Sequence, residues 1–290
     1  MEGQNIVVEY RFANGDRDQL ALLTRELIDL NVDVIVLGDS SAMAVAKEVT
    51  STLPLVMTIS SDPVGLGWVQ SLVRPGGNLT GQSTQISDLT EKRLDLVKAT
   101  VPVTSPPSPE CVQLYSAQVG AAAESTPFCL AILWDQNLST KSAWDAAEVA
   151  AQSLGIALIS VQLQAPGDFE EAIVRAKHQG AVAAFEFGSP FLNRYHQRVA
   201  ELCREYGLPL FGIDRALVQA GALQAYTPDY TSIYKRAAGQ AIEIVRGADP
   251  AEMPVEQPTR FQLIVNQEAA DALGIKISDP IMRQATEVMR

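Results

Sequence analysis

A chain of 290 residues with 47% apolar content has room for two domains of ordinary size. Its formal net charge of −12 excludes nucleic acid and anionic membrane surfaces as partners, because binding phosphate needs a basic face. No apolar run reaches the roughly 18 residues that cross a bilayer, and three cysteines with two histidines give no metal-ligand spacing.

Residues 6–10 (IVVEY) read as a strand, and no signal-peptide pattern precedes them. Residues 18–30 carry Leu20, Leu23, Leu27 and Leu30 at helical spacing. Residues 32–37 form an almost wholly apolar, β-branched run, as expected of a buried parallel strand. Gly38 to Ser41 break it, and Ser40 or Ser41 can cap the helix expected over 42–50. A second strand is expected at 55–59, a Gly/Pro-rich loop at 60–67, a short helix at 68–73 and a third strand from 79. Residues 89–99 read as an amphipathic helix with Leu94, Leu96 and Val97 inward.

The repeat then breaks. VPVTSPPSPE is too rich in proline and serine for regular structure, and residues 104–128 read as a surface insertion whose second half could form a short helix. Strands follow at 130–133, 157–163, 182–187 and 208–213, alternating with helices at 139–154, 169–178 and 191–206. A helix over 233–245, an extended stretch at 254–262, a strand at 263–265 and a helix at 267–273 complete the pattern. Alternating strands and helices imply parallel sheets with right-handed crossovers, an α/β fold.

In such sheets ligands bind beyond the carboxyl ends of the strands. Those ends place Ser40, Ser41, Ser60, Ser83, Thr84 and Ser189 as neutral hydrogen-bonding groups, with Gly188 allowing close approach to the backbone. Free N–H groups at helix starts favour a carboxylate. Asp62, Asp135 and Asp214 can accept an ammonium group, Trp134 and Phe191 can stack on a flat ligand, and Asn137 and Tyr226 complete the set. Structural roles compete for the same residues: serines after strands serve as caps, Asp62 before Pro63 is a common turn pair, and Trp134 can be core. Gly38-Asp39-Ser40 resembles the start of a serine-hydrolase motif, yet such a serine needs a base. Both histidines, His178 and His196, fall inside helical patterns and read as surface residues. Gly65-Leu66-Gly67 lacks the third glycine of a dinucleotide fingerprint. The chain therefore reads as a binding protein, not an enzyme, without metal or cofactor.

The stretches DVIVLGDSSAMAVAKEVTSTLPLVM, SDPVGLGWVQSLVRPGGNLTG and EKRLDLVKATVP resemble ABC-transporter substrate-binding proteins of the tryptophan/tyrosine-binding type. LAILWDQN, VEQPTRFQLIVNQEAADALGI and EGQNIVVEYRFANGD extend the resemblance to nearly the whole chain outside 104–128. It implies a type I periplasmic binding fold: two Rossmann-like lobes with parallel sheets, joined by a three-segment hinge and closing on a ligand in the cleft between them. The lobes would hold residues 1–84 with 225–255, and 85–224 with 256–290. It also implies an amino-acid-like or related organic ligand, an ABC permease as partner, and a full-length protein that is periplasmic or extracellular and membrane-anchored. A family member carries a strand and a helix ahead of EGQNI, so the first lobe is expected to lack its first βα unit here. Its exposed edge would then support a homodimer. The alternative implied by the same fold is the ligand-sensing domain of a receptor or transcription regulator. Export would permit a disulfide between Cys111 and Cys129.

Overall fold

The structure, a computed structural model, describes residues 5–14, 16–60, 62–84, 86–103, 105–120, 126–135 and 138–290. The chain forms two compact units. Unit 1 holds Met1–Gln85 and Tyr230–Pro258; unit 2 holds Ile86–Asp229 and Thr259–Arg290.

Unit 1 is built on a three-stranded parallel sheet of β1 (Ile35–Leu37), β2 (Leu55–Met57) and β3 (Leu79–Gly81), in that order. Ile35, Leu55 and Leu79 stand in register across it. Alternate side chains point to opposite faces, so each face needs its own cover. On one face Ile35, Leu37, Leu55, Met57 and Leu79 pack with Met43 and Ala46 of helix Ser40–Val49 and with Leu27 and Ile28 of helix Arg17–Asp29. On the other, Val56 packs with Ala237 and Ile244 of helix Tyr230–Val245. Gly81 has φ +133, and a Cβ there would run into the Met57 carbonyl oxygen, so only glycine lets β3 close on β2.

Two expectations fail here. Residues 7–10 form no strand: Val7, Val8 and Tyr10 are exposed, with no buried face to drive pairing. Residues 68–73 form no helix, because the N–H groups of Trp68 and Val69 both turn back to the Pro63 carbonyl and that of Gln70 to Pro75.

Unit 2 carries a seven-stranded sheet in the order β10-β9-β8-β7-β6-β4-β5. Its strands are β4 (Cys129–Trp134), β5 (Ala157–Gln162), β6 (Ala183–Glu186), β7 (Leu210–Gly212), β8 (Gln224–Pro228), β9 (Phe261–Asn266) and β10 (Glu287–Met289). All neighbours are parallel except β8 and β9. Leu130 and Ile132 of β4 face helices Ile86–Thr100 and Leu138–Leu154, while Cys129, Ala131 and Leu133 face helices Phe169–His178 and His196–Glu205. The sheet is thus covered on both faces, which is why its strands read as continuous apolar runs.

Residues Gln224–Pro228, strand β8, are a full member of this sheet. Residues 191–206 begin as a 3-10 turn, Leu192–Tyr195, before the α-helix His196–Glu205. The insertion contains helix Pro109–Gln118, capped by Ser108 and joined to β4 by the expected Cys111–Cys129 disulfide with Cα atoms 5.9 Å apart. Helix Asp279–Gln284 and β10 lie beyond the last element read from the sequence.

Candidate functional site

The carboxyl ends of β1, β2 and β3 are lined with hydroxyls. After β1, Asp39 rather than a serine caps helix Ser40–Val49: its Oδ1 accepts the N–H groups of Ser41 (2.7 Å) and Ala42 (3.0 Å). Ser40 is the buried first residue of that helix and Ser41 the half-buried second. The amides of this turn are therefore partly spent on Asp39. After β2, the carbonyl of Ser60 accepts the Thr84 N–H (2.8 Å), the Thr84 hydroxyl (3.1 Å) and the Ser83 hydroxyl (3.4 Å). These bonds lock the β2 and β3 ends together. The Ser60 hydroxyl is fully buried and has no hydrogen-bond partner among the described residues. A buried donor left unmade costs about 1–3 kcal/mol, which marks this as a place with unused hydrogen-bonding capacity. Asp62 is exposed, and its Oδ1 accepts the Gly65 N–H at 2.8 Å, the turn role.

The strand ends of unit 2 are acidic. Adjacent strands β4, β6 and β7 end in Asp135, Glu186 and Asp214. Asp135 is held on both oxygens: Oδ1 accepts the Thr140 hydroxyl (2.8 Å) and Oδ2 the Ser189 hydroxyl (2.6 Å). Ser189 in turn accepts the Leu192 N–H at 3.0 Å. Asp214 caps helix Arg215–Gln219 through the Leu217 N–H (2.8 Å). Gly188 has φ +70, a left-handed turn that releases the chain from β6.

Glu186 was not among the expected site residues. It shares the strand face of Ala184, beneath helix His196–Glu205, and is 1% exposed. One oxygen meets His196 Nε2 at 3.1 Å, while Oε2 has no partner among the described residues. His196 Nε2 also stands 3.8 Å from Asp214 Oδ2. His196 is thus buried, contrary to its reading as a surface residue, whereas His178 is exposed. The amphipathic pattern of the helix hid this, because its polar first residue turns inward to a carboxylate. Burial pushes the Glu186 carboxyl up, only partly opposed by His196. Burial also works against charge on His196, but Glu186 and Asp214 outweigh it and raise its pKa. The signal available in the sequence was a lone glutamate at the end of the apolar run AVAAFEF.

The aromatic candidates are packed. Trp134 stacks on Trp144 with ring centres 5.5 Å apart, and its Nε1–H donates to Ser160 at 2.9 Å. Phe191 meets Phe169 and Tyr195 edge-on. Tyr226 stacks on Phe261, and its carbonyl accepts from Arg93 Nε at 2.9 Å. Asn137 lies outside the described residues. Among the described residues no cluster of His, Cys, Asp and Glu is arranged to hold a metal, and no helix is long and apolar enough to cross a membrane.

The family model described as ABC transporter substrate binding protein matches residues 1–289. A protein of Clostridioides difficile (strain R20291) described as a tyrosine-binding protein is 22% identical over 275 residues, covering 95% of this chain and 72% of that protein. A structure of an ABC domain in complex with L-Trp from Streptococcus pneumoniae superposes with a TM-score of 0.84 at 18% identity, covering 99% of this chain and 89% of that one. A conserved domain protein from Vibrio cholerae gives the same TM-score, 0.84, at 22% identity, covering 99% and 88%.

Proposed function

This chain belongs to the family of ABC transporter substrate binding proteins, and on that premise we propose that it captures a small amino-acid-like solute, without turnover, and delivers it to an ABC permease. The observation that carries the reading is the chemistry of the strand ends. Those of unit 1 present buried hydroxyls, with the Ser60 hydroxyl lacking a partner among the described residues, and suit a carboxylate or a neutral polar group. Those of unit 2 present Asp135 and Asp214, which suit an ammonium group. A relative described as tyrosine-binding and a fold neighbour holding L-Trp make aromatic amino acids the first compounds to test. Trp134 and Phe191 supply apolar surface for such a side chain. The place of work is outside the cytoplasm, where the Cys111–Cys129 disulfide persists.

A ligand that binds only the folded state raises the melting temperature by mass action, about 2.7 kcal/mol at one hundred times Kd. A thermal-shift screen of amino acids, aromatic acids and amines is expected to give a hit, followed by calorimetric titration. Consumption of the hit compound by purified protein, or no shift with any member of the panel, overturns the proposal.

A further inference from the structure

Strand β5 is an outer edge of the seven-stranded sheet. Its odd-numbered residues turn their backbone groups toward β4, as the Ala157 N–H does to the Phe128 carbonyl. Leu158 therefore turns its N–H and C=O outward, where an added strand would pair. Both groups are already taken. The Gln118 side-chain amide accepts the Leu158 N–H at 2.7 Å and donates to the Leu158 carbonyl at 3.0 Å, the two bonds a neighbouring strand would make.

The helix that carries Gln118 is fixed at several points. Ser108 caps it through the Cys111 N–H at 3.1 Å. Cys111 is bonded to Cys129, the first residue of β4, and Tyr115 is buried in the core on that face. Its first turn lies so close to Gly180 that a Cβ there would meet Cys111 Cβ at 2.8 Å.

We infer that helix Pro109–Gln118 is an edge guard: it occupies the pairing groups of β5 in cis, so that a second copy of this chain cannot add a strand there, and the Cys111–Cys129 bond keeps it seated. A dithiol reagent releases the bond by giving two electrons and two protons to the cystine, which becomes two thiols while the reagent closes to its own disulfide. With the bond open, Gln118 and the apolar contacts of Tyr115, Leu114 and Val119 are left to hold the guard.

The test compares the oxidised full chain with a variant carrying Cys111→Ser, Cys129→Ser and Gln118→Ala. Hydrogen exchange at the Leu158 amide is expected to be at least tenfold faster in the variant, with amides of β4 unchanged. Sedimentation is expected to show concentration-dependent self-association beyond that of the wild type. Adding Ser160→Pro, whose missing N–H lies on the outward side of β5, is expected to abolish that extra association while leaving the fold intact. Unchanged exchange at Leu158 overturns the inference, as does association that is absent or survives Ser160→Pro. Should the triple variant fail to fold, Gln118→Ala alone, with the disulfide kept, must still speed Leu158 exchange, and equal rates there also overturn it.

Discussion

Replacing His196 by leucine removes the group that pairs with the buried Glu186 carboxylate at 3.1 Å. Glu186 is 1% exposed and its second oxygen already lacks a partner among the described residues. Breaking a buried pair by deleting one partner costs about 3–5 kcal/mol, because the carboxylate is left uncompensated in a poor solvent or must take up a proton to stay there. For a unit of roughly 150–250 residues each kcal/mol moves Tm by about 2–4 °C, so the loss is about 6–20 °C. Adding Glu186→Gln to His196→Leu removes the stranded charge, and the double variant is expected to melt above the single one. The wild type also carries a pH signature. Glu186 and His196 both bind their protons more tightly in the folded chain than at their ordinary values of 4.5 and 6.5. A raised pKa contributes stability that is present in full below the unfolded value and lost as pH rises through the folded one. The melting temperature of the wild type is therefore expected to fall as pH rises from mildly acidic through neutral, and His196→Leu to flatten the upper part of that slope. Calorimetric scans between about pH 5 and 8.5 measure both. If His196→Leu melts with the wild type, or if the double variant melts below the single one, the reasoning is refuted.

Asp39→Ala deletes the acceptor for two helix-start N–H groups and is expected to cost unit 1 about 1 kcal/mol, read by urea unfolding; no change would mean that another group takes the cap. Gly81→Ala combines a left-handed φ with a clash against the Met57 carbonyl and is expected to destabilise unit 1 by about 3 kcal/mol or more, read as a shift in the denaturant midpoint. Ser41→Val removes a hydroxyl at the β1 end and is expected to weaken ligand binding at least tenfold, about 1.4 kcal/mol, with the Tm of the unliganded protein little changed; equal affinities by titration would place the ligand elsewhere. Asp135→Asn is expected to weaken an amino acid far more than its desamino analogue, and parallel loss for both would assign Asp135 to the fold alone.

The strands of the fold were legible where burial on both faces forces unbroken apolar runs, as in LVM at 55–57 and CLAILW at 129–134. They were not legible where pairing depends on a neighbour: residues 6–10 have strand-like composition, but Val7, Val8 and Tyr10 are exposed. Helix starts at Arg17, Leu138, Phe169 and Gln267 were placed to within a residue, but those at Ser40, Ile86 and Tyr230 were read two or three residues late. GDSS offers three capping side chains in a row, and only geometry selects Asp39 over Ser40 and Ser41. The start of the insertion's helix was misread: Ser108, Pro109 and Glu110 lie in the stretch taken as irregular, yet they are a cap, a first-turn proline and a first-turn acid. In the candidate site, the positions of Asp135, Ser189 and Asp214 after strands followed from the alternation of elements. The bonds that hold them did not: Asp135 meets Ser189 because β4 and β6 are neighbours in the sheet, and Glu186 meets His196 because the helix after β6 packs back on its strand, neither of which a local pattern encodes.

Strand order also sets a timetable. In the seven-stranded sheet β8 pairs antiparallel with β9, Gln224 facing Val265 and Pro228 facing Phe261. Between those two strands the chain leaves to supply helix Tyr230–Val245, which covers Val56 in unit 1. During synthesis, unit 1 therefore lacks the cover for one sheet face until that helix has been made. Unit 2 lacks β9 and β10, with Leu263, Ile264 and Val265 of its core, until nearly the last residue. At about 5–20 residues per second, a nascent chain spends seconds with β8 as a bare edge. Unit 1 cannot finish folding before its second segment, Tyr230–Pro258, is made, nor unit 2 before Thr259–Arg290, so what holds the partly built sheets apart from other chains in that interval bears on yield as much as the stability of the finished protein.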